Sequence, residues 1–184
     1  KKNINRLNEI IKNFHDGNKE ESYNNLKDYI KIYPNDLVAL YNFAYMSEIL
    51  NKLEVAIKNY VFIINQDKNH WQSRFNLYLI FIKSKKYKEA LKLINEVLKI
   101  KNDYQPALRD RALTKYYLGK PDEGLSDILK SINLNQKDYI ALNVLGLIYG
   151  SLKQNLEAKK VFEKAIKVNP NYFPSYNNYG NCLQ

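Results

Sequence analysis

A spacing of 34 residues runs the length of this chain. Stepping by 34 from Ala56 reaches Ala90, Gly124 and Ala158. The same step from Tyr60 reaches Ile94, Ile128 and Phe162, and from Ala44 it reaches Tyr78, Ala112, Gly146 and Gly180. Pro34 and Pro170 share a further register. A period of this length with helical patterning implies stacked units, none of which can bury its apolar face without a neighbour. The expected fold is therefore all-α, a solenoid of helix–turn–helix hairpins. Such a pattern supplies surface rather than chemistry, so the expected role is to hold another chain.

The stretch Tyr139 to Tyr172 shows one unit most clearly. Leu142, Leu145, Gly146 and Tyr149 recur at three- and four-residue steps, the signature of an amphipathic helix. A break follows near Lys153 to Asn155, and Ala158, Phe162, Ala165 and Ile166 then mark a second helix. Pro170 between Asn169 and Asn171 ends it, because proline lacks a backbone donor and disfavours helix in the preceding residue. Small Gly146 and Ala158 are expected where the two helices cross most closely. The period divides the chain at about 3–36, 37–70, 71–104, 105–138 and 139–172, with a partial unit at 173–184. This predicts five helix pairs and one closing helix, read as a single domain over 1–184. In the first unit Leu7, Ile10, Ile11 and Phe14 keep a helical stripe, and Gly17 is placed to close that helix in a left-handed conformation.

Leu142, Leu145, Gly146, Tyr149, Ala158, Phe162, Ala165 and Pro170 together resemble the tetratricopeptide repeat (TPR), and the resemblance extends over essentially the whole chain. Some positions depart from it. Lys68 stands in place of the proline, Tyr78 occupies a small-residue position, and Arg111 and Lys115 occupy apolar ones. Tyr78 opposite Ala90 is expected to widen its hairpin or swing its ring outward. Ala112 opposite Gly124 predicts the tightest hairpin, in a unit locally weakened by a helical glycine.

The resemblance implies a right-handed superhelix whose first helices line a concave groove. In this chain those helices would present Tyr41, Asn42, Tyr45, Phe75, Asn76, Leu79, Arg109, Asp110, Leu113, Asn143, Leu147, Asn177, Asn178 and Asn181 to a bound peptide. Ile82, Tyr116, Tyr117 and Val144 fall on the same face. Rings give contact area, and amides can both donate to and accept from a backbone. Asn8, Asn42, Asn76, Asp110, Val144 and Asn178 form one column at 34-residue steps. That column is similar to the asparagine ladder in the TPR arm of O-GlcNAc transferases, which implies an alternative role as the non-catalytic substrate-recognition arm of a glycosyltransferase-like enzyme. Plain helix-surface amides are the other reading of the same residues. The Lys and Asn pattern with which TPR co-chaperones clamp two carboxylates is absent at every start, so no chaperone-tail partner is expected.

No residue cluster suggests catalysis, a metal or a cofactor. His15 and His70 fall near loops, where both are expected to be exposed, and the one cysteine, Cys182, has no histidine near it in sequence. The chain is therefore not expected to be an enzyme. Its formal charge of +10 favours an acidic protein or peptide partner by long-range attraction. The lysines Lys58, Lys92, Lys130, Lys160, Lys164 and Lys167 fall on second helices rather than in the groove, which argues against nucleic acid as the groove ligand. The longest apolar run, Leu77 to Ile82, is far short of the roughly 20 residues that span a bilayer. A lone cysteine fits a reducing, cytoplasmic setting. The chain reads as a piece of a longer protein, with self-association through Tyr179 and Leu183 at its end as a further expectation.

Overall fold

The computed structural model describes the backbone of residues 2–182 and the side chains of residues 4–182. Leu183, named above for self-association, lies outside the described residues. The described residues form eleven helices and no strand. These are α1 (Lys2–His15), α2 (Lys19–Ile32), α3 (Leu37–Ile49), α4 (Leu53–Gln66), α5 (Trp71–Lys83), α6 (Tyr87–Ile100), α7 (Gln105–Tyr117), α8 (Pro121–Leu134), α9 (Tyr139–Ser151), α10 (Asn155–Val168) and α11 (Phe173–Cys182). From α3 onward each odd-numbered helix begins 34 residues after the last, as the period requires. The chain forms two compact units, one up to Ile80 and one from Phe81, so the division falls inside α5.

In the first unit, Leu7, Ile10 and Phe14 of α1 meet Tyr23, Leu26 and Tyr29 of α2 and Ala39, Phe43 and Met46 of α3. The rings of Tyr23 and Phe43 stack at 4.8 Å. Ala56, Tyr60 and Ile63 of α4 are fully buried. Tyr78 is only 2% exposed and stacks on Phe75 at 5.8 Å, so its ring does not swing out to solvent as one sequence expectation allowed.

The second unit is built around Ala112 of α7, Ile128 of α8 and Ala141, Val144, Leu145 and Ile148 of α9. A methyl group placed on Gly124 would lie 3.0 Å from the Ala112 carbonyl oxygen and 3.3 Å from its Cα, so α7 and α8 approach backbone to backbone, as the two small residues predicted. Gly146 likewise faces its partner helix, α10. A methyl there would be driven into the Phe162 ring, within 2.6 Å of Cζ and 2.7 Å of Cδ1, so the glycine makes room for that ring.

The turns inside the hairpins repeat one device. Residues 17, 51, 85, 119 and 153, again 34 apart, all have positive φ: Gly17 +112°, Asn51 +57°, Lys85 +56°, Gly119 +74° and Lys153 +60°. After each, the next amide reaches back five residues to a carbonyl, from Lys52 to Ser47 at 2.7 Å and from Gln154 to Tyr149 at 2.9 Å. This is the hydrogen-bond pattern of a left-handed helix C-cap, which satisfies carbonyls that the helix leaves open. Gly17 fills the role foreseen for it. Asn51, Lys85 and Lys153 do the same without glycine's freedom. Leading helices are capped from the other end. Asp36 accepts from the Ala39 amide at 3.0 Å, and Asp138 accepts from those of Ile140 and Ala141; carboxylates at this position also complement the helix dipole.

Candidate functional site

Each unit holds part of the face that the sequence assigns to a ligand. In the first unit, Tyr41 on α3 packs against Tyr60 at 6.0 Å and His70 at 5.4 Å between ring centres. Asn76 on α5 donates from its carboxamide to the hydroxyls of both Tyr41 (3.1 Å) and Tyr60 (3.0 Å). Asn42 turns its carboxamide back onto the Val38 carbonyl of its own helix at 2.8 Å. Tyr45, Phe75 and Leu79 are half-buried beside them. Asn42 and Asn76 are thus already engaged in internal bonds, and a peptide backbone would have to displace them.

His70 is not the exposed loop residue expected from sequence. Its Nδ1 accepts from the Ser73 amide at 3.2 Å and so caps α5. Burial holds its pKa below the ordinary histidine value, against the pull of Asp67. This keeps the ring neutral, as an accepting Nδ1 requires. His15 is exposed, as expected, with its ring near Phe14 and Tyr45.

In the second unit the face becomes a cleft. Leu113, Tyr116 and Tyr117 of α7, Ile140, Asn143, Val144 and Leu147 of α9, and Pro174 and Asn178 of α11 line a hollow of about 340 Å³, with Tyr172 at its edge. A second hollow of about 340 Å³ shares Tyr116, Leu147 and Asn178 and continues past Gly146, Gly150, Ser151 and Asn181 to Asn155, Phe162 and Cys182. Both exist because the leading helices α7, α9 and α11 stand side by side. Asn178 donates to the Asn143 carboxamide oxygen at 3.0 Å, and Ser175 reaches the same oxygen at 3.4 Å. Of the residues assigned from sequence, Leu113, Asn143, Leu147, Asn178 and Asn181 come together here. Asn177 is exposed but lines neither hollow. Asn143 is 5% exposed and Val144 1%, so they form floor rather than contact surface.

Arg109 and Asp110 belong to a polar network beside the cleft. Arg109 donates to Asp110 at 2.8 Å and to Asp138 at 3.0 Å, and Gln105 donates to Asp138 at 2.7 Å and to Ser131 at 2.8 Å. Burial raises the Asp110 pKa, with Arg109 partly offsetting it. Burial would raise Asp138 too, but bonds from Gln105, the Ala141 amide and Arg109 hold it below the ordinary carboxylate range. Asp138 therefore caps a helix and orients Arg109 at once. The rings of Tyr139 and Tyr172 meet at a tilt of 58°, 4.9 Å apart.

The departures at Arg111 and Lys115 are balanced by a residue the sequence reading did not single out. Asp127 on α8 receives Arg111 through both oxygens (2.8 and 2.5 Å) and Lys115 at 2.8 Å, while Lys115 also reaches the Glu123 carbonyl at 2.8 Å. One carboxylate thus compensates two cations set where apolar side chains are usual. Two cations at apolar positions of one helix could have signalled an acidic partner on the helix that follows. No group of three or more His, Cys, Asp or Glu suited to a metal occurs among the described residues. No described helix is long and apolar enough to cross a membrane.

Comparison with known proteins agrees with this architecture. A tetratricopeptide repeat protein from Parabacteroides merdae superposes with a TM-score of 0.87 at 19% identity, over 100% of this chain and 73% of that one. YrrB, described as a TPR protein with an unusual peptide-binding site, gives a TM-score of 0.74 at 19% identity over 86% of this chain and 81% of its own. MamA from Desulfovibrio magneticus gives 0.83 at 18% identity over 94% of this chain and 98% of its own. At these identities the likeness concerns fold alone. In sequence, 98 residues are 29% identical to the N-terminal acetyltransferase A complex auxiliary subunit NAA15 of Arabidopsis thaliana, covering 52% of this chain but only 11% of that protein. The profile of the Psidin N-terminal TPR repeats region matches residues 74–182, more than half of the chain. The chain is an all-α tetratricopeptide repeat protein and belongs to the family of the Psidin N-terminal TPR repeats region.

Proposed function

We propose that the chain is a non-catalytic scaffold that holds an extended segment of a protein partner in the cleft of its second unit. The TPR fold is one typical of protein–protein interaction scaffolds, and the specific site is our reading. The observation that carries it is the pair of contiguous hollows sharing Tyr116, Leu147 and Asn178. A cleft in which Leu113, Ile140, Val144 and Leu147 alternate with Asn143, Asn178 and Asn181 suits a ligand that buries side chains and also bonds through its backbone. The match to an acetyltransferase auxiliary subunit favours a partner that is itself part of an enzyme assembly. The alternative of a glycosyltransferase-like recognition arm gains nothing from the asparagine column, because Asn42 and Asn76 bond internally and Val144 is buried.

The reading is tested by selecting peptides from a displayed random library against the full chain and measuring their affinity by fluorescence anisotropy. Leu147→Glu places a charge in the apolar cleft and should weaken selected peptides by about tenfold or more, an unsatisfied charge in an apolar contact being worth over 1.4 kcal/mol. Leu113→Ser should weaken them in the same direction. Peptides that bind both variants as well as the parent would refute the site.

A further inference from the structure

The net charge of +10 finds little outlet in the cleft described above, where Arg109 is already matched by Asp110 and Asp138. The free positive charge sits elsewhere in the second unit. Between α6 and the α7–α8 turn lies a separate hollow of about 330 Å³ lined by Leu91, Leu118, Asn95, Lys88, Lys92 and Lys120. Leu91 and Leu118 are half-buried and provide an apolar floor, whereas all three lysines are exposed. Lys88 and Lys92 stand four residues apart, so one helix face carries both ammonium groups. Among the described residues neither has a carboxylate within bonding distance. Lys120, on the opposite wall, is held to Glu123 at 2.7 Å. The Asn95 carboxamide oxygen, at the end of the α6 wall, is occupied by Arg111 at 3.2 Å.

We propose that this hollow docks an acidic peptide segment carrying one large apolar side chain. The volume is at the small end of ligand sites, which run from roughly 300 to 1,000 Å³, and suits a single side chain rather than a folded surface. That side chain would rest on Leu91 and Leu118. Carboxylates on either side of it would meet Lys88 and Lys92 on one wall and compete with Glu123 for Lys120 on the other. The apolar floor separates this occupant from a nucleic acid, whose backbone would use the lysines alone. The site is distinct from the cleft formed by α7, α9 and α11, and the proposal stands without it.

The test uses the full chain and three fluorescein-labelled probes: a Glu/Asp-rich peptide with one central Phe, the same peptide with Ser for Phe, and a single-stranded oligonucleotide of equal charge. Anisotropy should show the Phe peptide binding best, and more weakly as salt rises. The double reversal Lys88→Glu with Lys92→Glu should reduce its affinity by about tenfold, the effect of inverting two rim charges. The matched reversal Lys164→Glu with Lys167→Glu on α10 should leave affinity within about threefold of the parent, since distant charges are screened. Leu147→Glu in the other cleft should leave it unchanged. Equal losses from the two reversals would reduce the effect to bulk charge and overturn the proposal. So would equal binding of the Ser peptide, tighter binding of the oligonucleotide, or no binding of the Phe peptide at low salt.

Discussion

Replacing Lys153 by glycine should stabilise this protein, although lysine is the better helix former and no contact is gained. Lys153 holds φ at +60° in the turn between α9 and α10. For an L-residue that conformation costs about 1–2 kcal/mol, because Cβ crowds the backbone. Glycine removes the crowding but returns about 0.5–1 kcal/mol through the greater entropy of its unfolded chain. The net gain for Lys153→Gly is about 1 kcal/mol. The lysine side chain is exposed, so little packing is lost with it. Gly119 occupies the equivalent place one repeat earlier with φ +74°, and Gly119→Lys should lose about as much as Lys153→Gly gains. Both lie in the unit from Phe81 onward, so both report on the same unfolding. Urea titrations followed by far-ultraviolet circular dichroism measure the effect, with the slope unchanged if only stability moves. Because the turns are separate, the double variant should return close to the parent midpoint. If Lys153→Gly lowered the midpoint, or Gly119→Lys left it alone, the backbone at these turns would not be under the strain described.

The other predictions concern packing and charge. Asp127→Asn leaves Arg111 and Lys115 without their shared counter-ion and should cost about 2 kcal/mol in the same titration. Burial pushes the Asp127 pKa up, but hydrogen bonds from Arg111 and Lys115 outweigh it and hold the group below its ordinary value of 3.8. Its stabilisation is therefore complete above that value and is lost as pH falls through the lower folded pKa, and the Asn variant should lack this acid-side loss. Gly146→Ala should destabilise by about 1–2 kcal/mol, since overpacking against Phe162 exceeds the gain in helix propensity. Gly150→Ala, where an added methyl meets nothing within 4 Å, should be neutral or favourable. Asn76→Ala should cost about 1 kcal/mol, because it removes a donor from the buried Tyr60 hydroxyl, whereas Asn42→Ala should be close to neutral.

The helices were legible because the period is carried by packing. Positions such as Ala112 and Gly124 must be small where the two helices of a hairpin cross, and Ile94, Ile128 and Phe162 must fill the buried space beside them, so their recurrence marks each helix. The strained turns were read from sequence at Gly17 and carried the same glycine signal at Gly119, whereas Asn51, Lys85 and Lys153 meet that backbone demand with residues that do not announce it. Their 34-residue spacing from Gly17 carried the signal, in a register set by conformation rather than hydrophobicity. The leading-helix face was legible as far as Leu113, Leu147 and Asn178. The bonds that occupy Asn42 and Asn76 were not, since a side-chain amide can turn outward or back to its own helix with no change in sequence pattern. Asp127 escaped notice because its partners lie 16 and 12 residues earlier, beyond any local charge pattern.

The claim that the leading helices of the second unit form a receiving surface is tested most directly by amide chemical-shift mapping of the labelled chain with a library-selected peptide. The account predicts that the largest shifts gather at Leu113, Tyr116, Leu147 and Asn178, on α7, α9 and α11. Shifts confined to α8 and α10, with those four amides unmoved, would contradict it.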